Sequence, residues 1–215
     1  PEIYTASLFP EIYKKELLTI SKETINGNKI LGPAHQTTIT ENSLLPKLKE
    51  EYQQLYVETW EEAIKNITVT QTDNFADFSA QLKILTSVNS PILSLLNLSQ
   101  TNTRIPEIEQ ASPFLTAFND TLTKESTPEN SALYHSFAFL IKLSDQVMQV
   151  QKSTDQKAAA CMLSAQESAS TNDNPTNAQQ IRYLASQLPE PIQAWWLQIV
   201  DTYYALIKQN AVDCS

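Results

Sequence analysis

The stretch LKEEYQQLYVETWEEAIKNI, residues 48–67, decides the fold class. Leu48, Tyr52, Leu55, Tyr56, Trp60, Ala63, Ile64 and Ile67 recur at spacings of three and four. Glu50, Glu51, Glu58, Glu61 and Glu62 mostly take the other side. An apolar stripe of that period is the signature of an amphipathic α-helix that buries one face. Upstream, Ser43 is positioned to cap this helix, and Pro46 is tolerated in its first turn.

The same reading extends outward in both directions. Glu11–Ile30 carries Ile12, Leu17, Leu18, Ile20 and Ile25 among lysines and glutamates and predicts a helix, whereas residues 32–43 are rich in Thr, Asn and Pro and predict an exposed loop. After a polar joint at Thr68–Asn74, Asp73 or Asn74 is placed to cap a helix through Phe75, Phe78, Leu82 and Leu85. Helix restarts by proline recur at Ser90-Pro91, Ser112-Pro113, Thr127-Pro128, Asn174-Pro175 and Glu190-Pro191. Phe114, Phe118 and Leu122 mark one later stripe, and Leu133, Phe137, Leu140, Val147 and Met148 a longer one. Ala158, Cys161, Met162 and Ala165 read as a small-residue helix, with Cys161 in its core, and Glu167–Asn174 as a flexible polar joint. Ile192, Trp195, Ile199, Tyr203, Leu206 and Ile207 close the series. The expectation is an all-α chain: an elongated bundle of short helices, many begun by proline. A subdivision falls near Thr101–Pro106, giving helical parts over 1–103 and 104–215.

Composition narrows function by exclusion. The 215 residues carry 15 Lys+Arg against 24 Asp+Glu, a formal net charge of −9, which repels phosphate backbones and anionic lipid. Nucleic acid and direct membrane contact are therefore not expected. Two glycines, Gly27 and Gly32, leave no room for phosphate loops or dinucleotide turns, which need backbone freedom at several positions. No apolar run reaches the length of a membrane span. The chain opens on Pro1 without a leader pattern and reads as a piece of a larger, membrane-anchored protein.

No catalytic, cofactor or metal site is expected. His35 and His135 lack ligand partners at helical spacing, and the acids of residues 50–62 alternate with Lys47, Lys49 and Lys65 as a solvated face does. Cys161 and Cys214 show no CxxC spacing, so they permit one disulfide without requiring it. Asn66, Asn97 and Asn119 head glycosylation-type triplets that arise by chance in Asn-rich chains. The unusual cluster is Trp195-Trp196 with Tyr203-Tyr204. Neighbours on a helix point about 100° apart, so one Trp is expected inside. Trp196 and Tyr204 are the candidate partner-binding residues, since large rings supply contact area cheaply.

Several stretches, in order, resemble the IcmF/TssM inner-membrane proteins of type VI and type IVB (Dot/Icm) secretion systems. Leu45–Ile67, with Leu55-Tyr56 and Trp60, is similar to a Tyr-rich helix that leads to a Trp. Leu82–Thr103, with Ser90-Pro91-Ile92 and Leu95-Leu96, resembles the family's SPL-LL segment. Ala185–Trp196, with Leu188-Pro189 and Pro191, resembles its A-LP-P-W segment, and Tyr4-Thr5 and Ile30-Leu31-Gly32 its YT and VLG pieces. Lys29-Ile30 departs from the family's Trp-Val. The resemblance implies a periplasmic helical part of an inner-membrane scaffold with no enzymatic activity and no cofactor. It also implies a DotU/TssL-like inner-membrane partner, an outer-membrane lipoprotein reached through a downstream β-rich domain, and oligomers in the full complex. The alternative is a free-standing helical adaptor.

Overall fold

The computed structural model describes residues 3–30, 40–121, 131–171, 173–212 and 214. Among them every regular element is helical, apart from one isolated bridge between Thr171 and Asn174. The helices are α1 (Phe9–Glu11), which runs through a π-helical turn Ile12–Glu16 into α2 (Leu17–Ile30), then α3 (Glu41–Lys65), α4 (Phe75–Leu85), α5 (Pro91–Thr103), α6 (Pro106–Ala111) and α7 (Pro113–Asp120). There follow α8 (Ala132–Lys152), α9 (Gln156–Ala169), α10 (Asn177–Ala185) and α11 (Ile192–Asn210). None of these helices is long and apolar enough to cross a membrane.

The helix starts show which local rules won. Asn74 caps α4, its Oδ1 accepting from the Asp77 N–H at 2.9 Å. Ser112 serves α7 twice, accepting from the Leu115 N–H at 3.0 Å and donating to Glu61 Oε1 at 2.6 Å. Three expectations shift. Ser43 is not the cap of α3: Thr40 is still extended at φ −110°, ψ 159°, so the cap falls there, and the Ser43 hydroxyl accepts from the Thr40 N–H at 3.0 Å. Pro46 accordingly lies inside the helix. Asn174-Pro175 does not begin α10, because Thr176 caps it with its hydroxyl accepting from the Gln179 N–H at 3.3 Å. Pro191 precedes α11 through a cis bond after Glu190 instead of occupying its first turn. Pro91 does open α5, but the buried Ser90 hydroxyl meets no partner among the described residues. Thr127-Pro128, Leu122, Leu31-Gly32 and His35 lie outside the described residues.

The chain divides into two compact units. One holds the described residues through Asn66 together with Asn97–Asn119; the other holds Ile67–Leu96 and the described residues from Asp120 onward. In the first, α3 packs on α2 and α6. Its buried residues Tyr52, Tyr56 and Ile64 form a narrow stripe, while Leu55 turns outward at 47% exposure. Phe9 stacks on Tyr13 at 4.9 Å and meets Tyr56 edge-on at 5.5 Å, so the first residues are held by an aromatic group. Tyr52 donates to the Ile3 carbonyl at 2.8 Å and Trp60 to the Tyr4 carbonyl at 2.9 Å. Asn119 is buried among Ser99 and Thr103, donating to Thr103 Oγ1 at 2.7 Å and accepting from Ser99 Oγ at 3.0 Å.

In the second unit α8 lies against α4 and α10, and α11 against α10 and α9. Its core includes Phe78, Leu82, Leu140, Leu143, Val147, Ile181, Trp195, Trp196 and Ile199, all within about a hundredth of full enclosure. Rings of that size dominate the energy of a core.

Candidate functional site

The aromatic helix α11 is where sequence reading placed the interaction residues, and the structure separates them. Trp195 and Trp196 are both enclosed, at 1% and 0% exposure. Trp195 donates its indole N–H to the Ile67 carbonyl at 2.7 Å. Trp196 donates to Ser136 Oγ at 2.6 Å and meets Phe137 edge-on at 5.1 Å. Trp196 is therefore a core residue instead of an exposed contact. The reason is that α11 packs on α10 and α9 while Ser136 and Phe137 of α8 meet the Trp196 ring, so a second direction 100° around the helix is also inside. Ser136 is itself buried, and its hydroxyl donates to the Leu133 carbonyl while accepting from the indole. A fully used hydroxyl of this kind removes the cost of burying an indole N–H.

Two turns further on, Tyr203 and Tyr204 converge on one carboxylate. Tyr203 donates to Glu167 Oε1 at 3.0 Å, Tyr204 to Oε2 at 3.0 Å, and the Thr176 hydroxyl to Oε2 at 2.8 Å. Burial is the main cause that pushes both phenols up, reinforced by the Glu167 charge and its hydrogen bonds; for Tyr204 the value reaches about 12. Phenols held above their ordinary value are protonated at neutral pH and donate to the Glu167 carboxylate, so the cluster fastens α11 to α9. The fastening continues through Gln179, whose Nε2 donates to Ser170 Oγ at 2.6 Å, and Ser170 donates to the Glu167 carbonyl at 2.6 Å. The segment read as a flexible joint thus begins inside α9, with Glu167 as its best-satisfied residue.

Tyr204 is half-buried. Arg182 lies over its ring, 5.6 Å from the centroid, and pairs with Asp201 at 2.5 Å. Its remaining edge borders a cleft of about 440 Å³ lined by Ser164, Ser168, Ile207 and Lys208 among others. A disulfide joins Cys161 of α9 to Cys214, with Cα atoms 5.6 Å apart. Cys161 is therefore a cross-link residue, half-buried, and not the small core residue expected from its alanine neighbours. A second hollow, of about 300 Å³, is apolar and bordered by Ile67, Val69, Leu85, Ile92, Leu95 and Trp195.

The acids of α3 are solvated or paired. Lys65 lies one turn from Glu61 in an i,i+4 ion pair at 2.5 Å. Burial pushes the Glu61 carboxyl up, but hydrogen bonds from Lys65 and Ser112 and the lysine charge outweigh it and hold it below its ordinary value. His135 is exposed on α8. No group of three or more His, Cys, Asp or Glu among the described residues is arranged to hold a metal ion.

Residues 1–104 match the family described as IcmF-related, "Intracellular multiplication and human macrophage-killing". Over that span the chain is similar to the IcmF-related family. The matched residues run from the aromatic group of α1–α3 through α4 and α5. No curated protein matches the chain. A solved structure described as "Type VI membrane complex" shares the fold at a TM-score of 0.62 and 14% identity. It covers 94% of this chain, which spans only 40% of that one.

Glu167, Ser136 and the cysteine pairing carry no sequence signal of their own. Their partners lie 36, 60 and 53 positions away, and only helix packing brings them together.

Proposed function

We propose that the chain is a non-enzymatic helical module of a bacterial secretion-system envelope complex, standing in the periplasm as part of an inner-membrane protein of the IcmF/TssM type. The IcmF-related match over residues 1–104 carries this reading, and the fold shared with a type VI membrane complex protein supports it along 94% of the chain. The Cys161–Cys214 disulfide supports the periplasmic placement, because such bonds persist in oxidising compartments and are rare in the cytosol. Long helices fastened by buried indoles, phenols and a cross-link suit a part that holds binding surfaces in place. A DotU/TssL-like inner-membrane protein is the partner of the complex as a whole, and an outer-membrane lipoprotein would be reached through a part of the larger protein downstream of this chain. In this reading Tyr204, with a ring edge on the α9–α11 cleft, is the candidate contact residue of α11.

Protease shaving of spheroplasts tests the placement. Cleavage within this region after the outer membrane is opened, with the inner membrane sealed, is the expected outcome. Protection until the inner membrane is dissolved would overturn it.

A further inference from the structure

The two cysteines joined by the disulfide differ in their surroundings. Cys161 sits mid-helix in α9, half-buried, whereas Cys214 is exposed and lies just past the end of α11 at Asn210. Their Cα atoms stand 5.6 Å apart, within the roughly 4.4–6.8 Å that a disulfide spans without moving the backbone. The chain holds two cysteines, so only one intramolecular pairing exists. Thiol–disulfide exchange requires the attacking sulfur to reach a donor disulfide, which favours the accessible thiol for the first step.

We propose that Cys161 and Cys214 form the substrate dithiol of a disulfide-donating oxidoreductase, with Cys214 reacting first and Cys161 closing the bond. This rests on the periplasmic reading given above. In the first step the Cys214 thiolate attacks the donor disulfide, a Cys214–donor bond forms, and the donor's own S–S bond breaks to release one donor thiolate. In the second, the Cys161 thiolate attacks Cys214 Sγ, the Cys161–Cys214 bond forms, and the second donor thiolate leaves. The chain loses two electrons and two protons, and the donor disulfide gains both as a dithiol. The product ties α9 to the residues following α11, two segments that Glu167 of α9 and the tyrosines of α11 already join by hydrogen bonds, so the donor completes a fastening that the hydrogen bonds begin.

The test uses the whole 215-residue chain, reduced and then exposed to oxidised glutathione, with samples quenched by acid and read by intact mass. The wild-type chain is expected to lose two hydrogens and carry no adduct. Cys161→Ala is expected to accumulate a single glutathione adduct on Cys214, and Cys214→Ala to gain its adduct about tenfold more slowly, the difference collapsing in denaturant. Cys161→Ser, checked for native helicity by circular dichroism, repeats the measurement should the alanine variant fail to fold. Equal native rates, or faster reaction at Cys161, would overturn the order. A wild-type chain that ends with two adducts would overturn the pairing. Alkylation trapping in cells separates this from the placement: free thiols on a chain already cleaved in spheroplasts defeat the donor proposal alone, whereas a chain protected in spheroplasts defeats the placement and the donor proposal with it.

Discussion

Replacing Trp196 with Ala distinguishes a core indole from a contact indole, and the structure sets the size of the effect. A ring of this kind buries roughly 200 Å² and, at about 25 cal/mol per Å², contributes about 5 kcal/mol, part of which the alanine retains. Large-to-small changes of aromatic core residues cost about 3–5 kcal/mol, so a loss of about 4 kcal/mol is expected. For a chain of this length each kcal/mol moves the melting temperature by roughly 2–4 °C, which places the drop at roughly 8–16 °C. The hydrogen bond to Ser136 adds a second arm. Ser136→Ala leaves the indole N–H buried without an acceptor and is expected to cost about 1–3 kcal/mol. In a Trp196→Phe background, which has no N–H to satisfy, the same serine change should cost less. The double-mutant cycle by urea unfolding therefore yields a coupling of about 1 kcal/mol or more. A Trp196→Ala chain that melts within a degree or two of wild type, or additive costs in the cycle, would refute the placement of Trp196 in the core.

Reducing the disulfide should lower stability by up to about 4 kcal/mol, the chain-entropy value for a cross-link spanning 53 positions, seen as a lower urea midpoint in reductant. Asn119→Ala breaks hydrogen bonds with Ser99 and Thr103 at a buried site and should cost about 1–3 kcal/mol, read by thermal unfolding. Asn74→Ala removes the α4 cap at a cost of about 1 kcal/mol. At high pH the sign follows from Tyr52 and Tyr204, both pushed up to about 12 from an ordinary value of 10.0. Their protonated forms are favoured by the fold, so that contribution is whole below pH 10 and is lost as the pH climbs toward 12. Circular dichroism followed with tyrosinate absorbance should show helix loss accompanying the last phenols to ionise; full ionisation near pH 10 with intact helices would contradict it.

Much of the helical order was legible because periodicity and caps are local. The stripe through Tyr52, Tyr56 and Ile64, the polar joint before Asn74 and the start at Ser112-Pro113 each follow from a few neighbouring residues. Caps shifted where two candidates competed: Thr40 and Ser43 lie three apart and satisfy each other, so either could be read as the end. Trp196 could not be placed from its own helix, because its burial depends on residues such as Ser136 and Phe137, 60 and 59 positions away on α8. Glu167 looked like part of a solvated joint, since its three donors come from Thr176, Tyr203 and Tyr204 after the chain has folded back. The cysteines paired for the same reason, across positions no local pattern connects.

The most direct measurement of the central claim is affinity capture from cell-envelope extract with the folded chain as bait, identifying the retained proteins by mass spectrometry. Retention of secretion-channel components, a DotU/TssL-like inner-membrane protein among them, is the expected outcome. A folded, disulfide-bonded bait that retains none of them, from an extract in which the assembled channel is demonstrably present, would contradict it.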